Sequence, residues 1–285
     1  MLSIAALRSI HRQTWSGHNH TEFCPHGSGE DVELYIRRAI ARGFKTYSVT
    51  EHFPLPRTND QSIQGHPHSI ATPTMLTDEL PQYFAKLNYL KAKYHHQIRI
   101  LVGFEIDYIA AYSDWLAEQL AIYHRQIDDA ILSVHFLLTP TGLCALDDSA
   151  LAFQRGVLQA YGSPLNVTKA YLATVQQAVN WQVPYKPHRY GHLLSYCQWS
   201  PSLPDRTIWE DSATHQKLTT ILNAIQANGE LINCQLPQSV PACVPFNWIQ
   251  TARQAHIPLV FDANAHCVND VATGYANYLQ ALDYL

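Results

Sequence analysis

Residues 14–53, TWSGHNHTEFCPHGSGEDVELYIRRAIARGFKTYSVTEHF, spell out one strand–helix–strand repeat. TWSGHNH (14–20) reads as a short strand and KTYSVTEHF (45–53) as a buried one. Between them, GEDVELYIRRAIARG sets Val32, Tyr35, Ile36, Ala39 and Ile40 on one helical face. Ser28 is placed to cap the start of that helix and Gly43 to close its end. Two strands joined through a helix are expected to run parallel.

The same alternation continues outward. IRILVGFEIDY (98–108), DDAILSVHF (128–136), YGHLLSY (190–196), ELINCQ (230–235) and IPLVFDANAH (257–266) read as further buried strands. DELPQYFAKLNYLKAKYHH, SDWLAEQLAIYHRQ, PLNVTKAYLATVQQAVNW and HQKLTTILNAIQANG read as helices, and VNDVATGYANYLQALDYL as a final one. About seven strands alternating with helices imply an α/β barrel, residues 1–285 forming a single domain. An open doubly wound sheet is the alternative. Residues 54–75 form one long breaker-rich loop, and its His66 and His68 are read as facing solvent or substrate.

Composition narrows the function. The chain has 285 residues, 47% hydrophobic and only 15% charged, with net charge −4, which does not suit a nucleic-acid partner. There is no apolar run long enough for a membrane span and no signal-like N-terminus. The six cysteines are scattered with no C-x-x-C pair, as expected of reduced thiols in a cytoplasmic protein. Histidine is the outlier, with 16 against 19 lysines and arginines together.

The histidines are not random in position. His18 and His20, His52, Glu105, His135, His192 and His266 fall at or near the ends of the strands, and His26 follows on the loop after the first. In a parallel barrel all C-terminal strand ends meet at one mouth. His18 and His20, two apart, point to one face of a strand. Imidazoles with a carboxylate and no thiolate suit Zn, Mn or Fe. Glu105 has two oxygens and can bridge two ions, which together would activate water for attack on phosphorus or a carbonyl carbon and stabilise the developing anion. The residues therefore point to a metal-dependent hydrolase.

GHNHTEFCPHG, SVTEHFPLP, GFEIDY, LSVHF, RYGH and NAHCVNDVATGY, in this order, resemble the polymerase and histidinol phosphatase (PHP) superfamily, and most closely its histidinol-phosphatase branch. The resemblance runs from about residue 16 to the C-terminus. It implies a distorted (β/α)7 TIM-like barrel, three divalent metal ions, and hydrolysis of L-histidinol phosphate to L-histidinol and phosphate in histidine biosynthesis. By motif, His18 and His20 would hold the first ion with Glu105 and an acidic residue of the last strand. Glu105 would bridge to the second, completed by His135 and His192, and His26, His52 and His266 would hold the third. Arg189 resembles an arginine that grips the substrate phosphate, a task suited to a guanidinium fork.

Two departures from the family pattern stand out. The last strand reads Asp262-Ala263-Asn264-Ala265-His266, with Asn264 where the family places a metal-binding aspartate and Asp262 two residues earlier as a candidate substitute. In addition, NCQLPQSVPACVPFN (233–247) lacks the basic residue the family usually carries there. Accordingly, Glu105, Asp262 and Arg189 are the expected catalytic residues, and His18, His20, His26, His52, Glu105, His135, His192, Asn264 and His266 the expected metal ligands. The alternatives are a PHP phosphatase for another small phosphomonoester and a family member that binds metal or ligand with weakened turnover. An amidohydrolase, which also starts with H-x-H, fits less well because Glu105 stands where such sites often use lysine.

Overall fold

The computed structural model describes residues 1–57, 65–71, 73–193, 211–236 and 247–283. Seven strands close into a parallel barrel. In the order in which they pair, they are β1 (Trp15–Ser16), β2 (Thr46–His52), β3 (Arg99–Asp107), β4 (Asp129–Ser133), β7 (Arg189–Tyr190), β8 (Leu231–Gln235) and β9 (Leu259–Asp262). The open-sheet alternative is thereby excluded, because β9 pairs back onto β1 through Ser16 and Phe261.

Each strand divides its residues between two cores. On β3, Ile100, Val102, Phe104 and Ile106 pack outward in the large cluster shared with the surrounding helices. Leu101 points inward with Trp15, Leu231 and Val260, and Leu7 of the N-terminal helix Ile4–Arg8 and Ile10 just after it close that end. Inward positions farther along are polar: Ser48, Asp129, Arg189 and Asn233, then Glu105, Ser133 and Asp262, all buried. The barrel is thus apolar at its floor and ionic toward its mouth, which is why its strands do not read as uniformly hydrophobic.

The structure revises several local expectations. Helix Val32–Ala41 is capped by Asp31, whose carboxylate accepts from Glu33 N at 2.8 Å, while Ser28 bonds Glu30 instead. Asp31 immediately precedes the first helical residue, so it reaches the free first-turn N–H groups and Ser28 does not. The expected C-terminal helix is two pieces, Val268–Ala272 and Tyr275–Asp283. Gly274 parts them at φ 78°, where a Cβ would lie 2.1 Å from the Leu236 carbonyl. β7 is shorter than expected, and residues 194–196 of the expected strand lie outside the described residues, as do residues 237–246 of the second departure.

A two-stranded antiparallel hairpin, β5 (Phe136–Thr139) and β6 (Gly142–Ala145), was not foreseen. It projects between β4 and β7 and takes no part in the barrel. Part of the 54–75 loop is built against it: Gly65 pairs with Leu143, and Pro67–Ile70 forms a short helix. His66 is exposed, and the side chain of His68 lies outside the described residues.

Candidate metal centre

Beyond β1 the chain stays paired with the segment after β9, through Asn19 opposite Ala265 and His20 N donating to Ala265 O at 3.0 Å. This brings His18 and His20 beside Asn264 and His266. β7 and β9 end in left-handed turns, His192 at φ 49° and Asn264 at φ 43°, both of which face the cavity. His and Asn are among the residues that tolerate this conformation, and such local strain gathers at functional sites.

Glu105 occupies the centre. Its Oε2 lies 3.1 Å from His18 Nε2, 3.4 Å from His52 Nδ1 and 3.7 Å from His20 Nε2. Its Oε1 accepts from Ser133 Oγ at 2.6 Å and lies 3.1 Å from His192 Nε2 and 3.4 Å from His135 Nε2. Burial opposes ionisation of Glu105, yet His18, His135 and His192 hold its carboxyl well below the usual range. Gly191 makes room for this packing: a Cβ there would meet Ser133 Oγ at 2.4 Å and Ile131 Cγ2 at 2.8 Å.

Three imidazoles are backed by carboxylates. His18 Nδ1 lies 3.1 Å from Asp262 Oδ2, His20 Nδ1 3.1 Å from Glu51 Oε1 and His135 Nδ1 2.7 Å from Asp107 Oδ1. His266 Nδ1 donates to the Asn264 carbonyl at 3.0 Å. In all four Nδ1 is engaged, and in His18, His20 and His135 Nε2 faces Glu105, the arrangement that orients metal-binding histidines.

The charges follow. Burial disfavours a charge on His18, but Asp262 and Glu105 outweigh it and raise its pKa to about 10. His135 is likewise raised, by Asp107, Glu105 and Asp147 against burial. His20 and His52 are lowered well below their ordinary value by burial and by neighbouring imidazoles, and His266 is lowered chiefly by burial.

Donor atoms converge in three groups, each within 4.8 Å: His18, Glu105 and His192; His52, Glu105 and His135; and His20, Cys24, His52 and His266. Glu105 belongs to two of them. The grouping differs from the one the family motif implies, since His192 sits with His18 and Cys24 takes the place expected of His26. His26 stands on the cavity wall, its ring centroid 5.8 Å from that of His52. The buried His52 Nδ1 and Asp262 Oδ1 have no hydrogen-bond partner. Crowded imidazoles, a central carboxylate and unpartnered buried donor atoms together suit divalent cations.

Two expected catalytic residues stand elsewhere. Asp262 is 1% exposed behind His18 and does not line the cavity, whereas Asn264 does, with its Oδ1 3.1 Å from His20 Nε2. Arg189 is fully buried, not at the mouth. Its guanidinium grips Asp129 at 2.6 and 3.0 Å, the Gly17 carbonyl at 2.8 Å and Asn233 Oδ1 at 2.6 Å, and stacks over Trp15. With its donors spent inside the barrel it is not positioned to grip a phosphate, and that expectation is corrected.

The residues the sequence did not single out are Glu51, Asp107, Cys24, Asp147 and Asp148. The first two lie inside the quoted motifs, next to His52 and two residues after Glu105. Asp147 and Asp148, which follow the hairpin, line the cavity of about 380 Å³ at the mouth.

The PHP domain model matches residues 16–235. A histidinol-phosphatase of Bacillus subtilis is 32% identical over 275 residues, 94% of this chain and 99% of the relative. The crystal structure of a candidate histidinol phosphatase from Listeria monocytogenes superposes with a TM-score of 0.86 at 32% identity, covering 93% of this chain and 99% of that one. A histidinol phosphate phosphatase from Lactococcus lactis, solved with zinc, L-histidinol and phosphate, shares the fold with a TM-score of 0.63 at 16% identity over 94% of each chain. The barrel, the motifs in their order and these likenesses agree: the chain belongs to the PHP domain family.

Proposed function

We propose that this protein is a metal-dependent histidinol-phosphatase, hydrolysing L-histidinol phosphate to L-histidinol and phosphate. The observation that carries the reading is Glu105, with one oxygen turned to His135 and His192 and the other to His18, His20 and His52. That geometry suits a carboxylate shared between cations. We assign up to three divalent ions, Zn, Mn or Fe, to His18, His20, His26, His52, Glu105, His135, His192, Asn264 and His266. Such ions, when bound, supply Lewis acidity toward water and toward phosphoryl oxygens.

The chain's own residues do the rest. Asp262, Glu51 and Asp107 fix the imidazoles they back, so that Nε2 of His18, His20 and His135 points inward. No lysine or arginine is among the described residues lining the cavity, so the charge of a phosphate falls to the cations there. Asp147 and Asp148 give the open side carboxylates suited to the ammonium group of an amino alcohol. Among the described residues, Cys24, Cys144, Cys234 and Cys267 are free thiols and no helix is long and apolar enough to cross a membrane.

Phosphate release from L-histidinol phosphate and from a panel of other phosphomonoesters, measured on chelated protein reloaded with Zn, Mn or Fe, tests the assignment. Preferential turnover of histidinol phosphate is expected, and a stronger preference for another ester would transfer the activity to that substrate. Asn264 favours one second reading, a member with weakened turnover, because a neutral amide faces His20 where the family pattern has a carboxylate.

A further inference from the structure

Asp262 Oδ2 accepts two hydrogen bonds, one from His18 Nδ1 at 3.1 Å and one from Asn233 Nδ2 at 3.2 Å. Asn233 is 3% exposed, and its other amide atom, Oδ1, accepts from Arg189 Nη1 at 2.6 Å. A guanidinium only donates, so the Asn233 amide has one admissible orientation, oxygen toward Arg189 and nitrogen toward Asp262. Arg189 is in turn immobilised by both oxygens of Asp129, by the Gly17 carbonyl and by the face of Trp15. Asp129 accepts from Ser48 Oγ at 2.7 Å, and Ser48 Oγ accepts from Trp15 Nε1 at 2.8 Å. Every member of this chain is buried.

We propose that Arg189 and Asn233 are positioning residues that act through Asp262 on His18, holding its proton on Nδ1 and directing Nε2 to the cation site. The direction of each bond follows from the fixed charge of Arg189. Arg189 donates to Asn233, Asn233 donates to Asp262, and Asp262 is left to accept from His18. A carboxylate in that place keeps the Nδ1 proton where it is and raises the basicity of Nε2. The buried arginine thereby has a task in the centre without touching substrate. This inference rests on the reading of His18 as a ligand, and the experiment separates the two.

The first measurement uses zinc-loaded, 15N-labelled wild-type protein. The His18 imidazole is expected to show a slowly exchanging proton on Nδ1 and zinc on Nε2. Zinc on Nδ1 would overturn the relay while leaving the metal centre intact, whereas failure to bind zinc at all would overturn the functional reading. The second measurement is zinc affinity by chelator competition in Asn233→Leu. Leu101→Ala serves as the control, because it loosens the same barrel interior without touching the relay. A loss of about 10–100-fold in affinity, beyond that of the control at matched stability, is expected for removal of an outer-shell partner. Equal affinity in the two variants would overturn the proposal. If Asn233→Leu does not fold, Asn233→Thr, whose hydroxyl is too short to span from Arg189 to Asp262, is read in the same way.

Discussion

His18 Nε2 and Glu105 Oε2 stand 3.1 Å apart across 87 residues of chain, both essentially without solvent exposure. Neither would be stable in such surroundings alone, since burial of an isolated charge is costly. Each is the other's partner, and both would serve as ligands to a divalent cation, which would supply positive charge in place of the proton they share. Glu105→Gln keeps the shape and removes the charge. It should lower phosphatase activity by more than about 10²-fold, and the purified variant should retain less metal by elemental analysis. Wild-type metal content and turnover in that variant would remove Glu105 from the centre.

Asp107→Asn addresses the ring behind the ligands. The 2.7 Å contact with His135 Nδ1 would lose its charge but not its geometry. Metal affinity is expected to fall about 10–100-fold, and the chelated protein to lose stability below pH 6.5, where Asp107 supports protonated His135. Titration against a competing chelator reads the first quantity and calorimetry the second.

Asn264 offers the opposite test. Asn264→Asp restores a carboxylate 3.1 Å from His20 Nε2, and aspartate tolerates the left-handed backbone as asparagine does. Slower metal loss to chelator and higher turnover are expected. Asn264→Ala loses both the oxygen and the conformational tolerance, at a cost on the order of 1 kcal/mol in backbone strain. If Asn264→Asp leaves metal retention unchanged, the amide oxygen is not at a cation.

Arg189→Met should destabilise the metal-free protein by about 3–5 kcal/mol in urea unfolding, because Asp129 is left as an unpaired buried charge. Adding Asp129→Leu removes that charge and should recover a large part of the loss. A single variant as stable as the wild type would show that water compensates Asp129.

Metal-free protein should resist heat best near pH 6.5. Burial lowers His20, His52 and His266, so below the ordinary histidine value of 6.5 the unfolded chain binds protons that the folded one refuses, and stability drops as pH drops. Glu51, raised by burial, acts the other way, one group against three. Burial also opposes charge on His18 and His135, but their carboxylate partners outweigh it. Their contribution is therefore complete below 6.5 and is lost as pH rises, for His18 through about 10. Calorimetry in chelator should give a midpoint that declines on both sides, and a steady rise from about pH 5 to about pH 9 would contradict it.

Much of this was legible in the chain. The alternation around residues 14–53 and the runs ending near Glu105, His135, His192 and His266 carry the barrel and its mouth, because buried parallel strands have a strong apolar signature. Arg189 was misplaced for a physical reason: its resemblance to a phosphate-gripping arginine says nothing of what packs against it, and only the closed barrel reveals that Asp129, 60 residues away in sequence, faces it. The carboxylates behind the imidazoles were hidden for a similar reason. Glu51 and Asp107 reach His20 and His135 across strands, a pairing that depends on register. The β5–β6 hairpin escaped because the expected strand 128–136 runs through Val134 and His135 into Phe136, where the structure begins a second, antiparallel strand.

The β5–β6 hairpin supplies no strand to the barrel, yet the segment leaving it delivers Asp147 and Asp148 to the mouth. On the proposed function, the segment that would meet the alcohol is then a different piece of chain from the strand ends that gather the imidazoles. Exchanging residues 136–146 while keeping Asp147, which also lies 3.8 Å from His135 Nε2, is then a way to ask whether this piece of chain sets the choice of phosphoester.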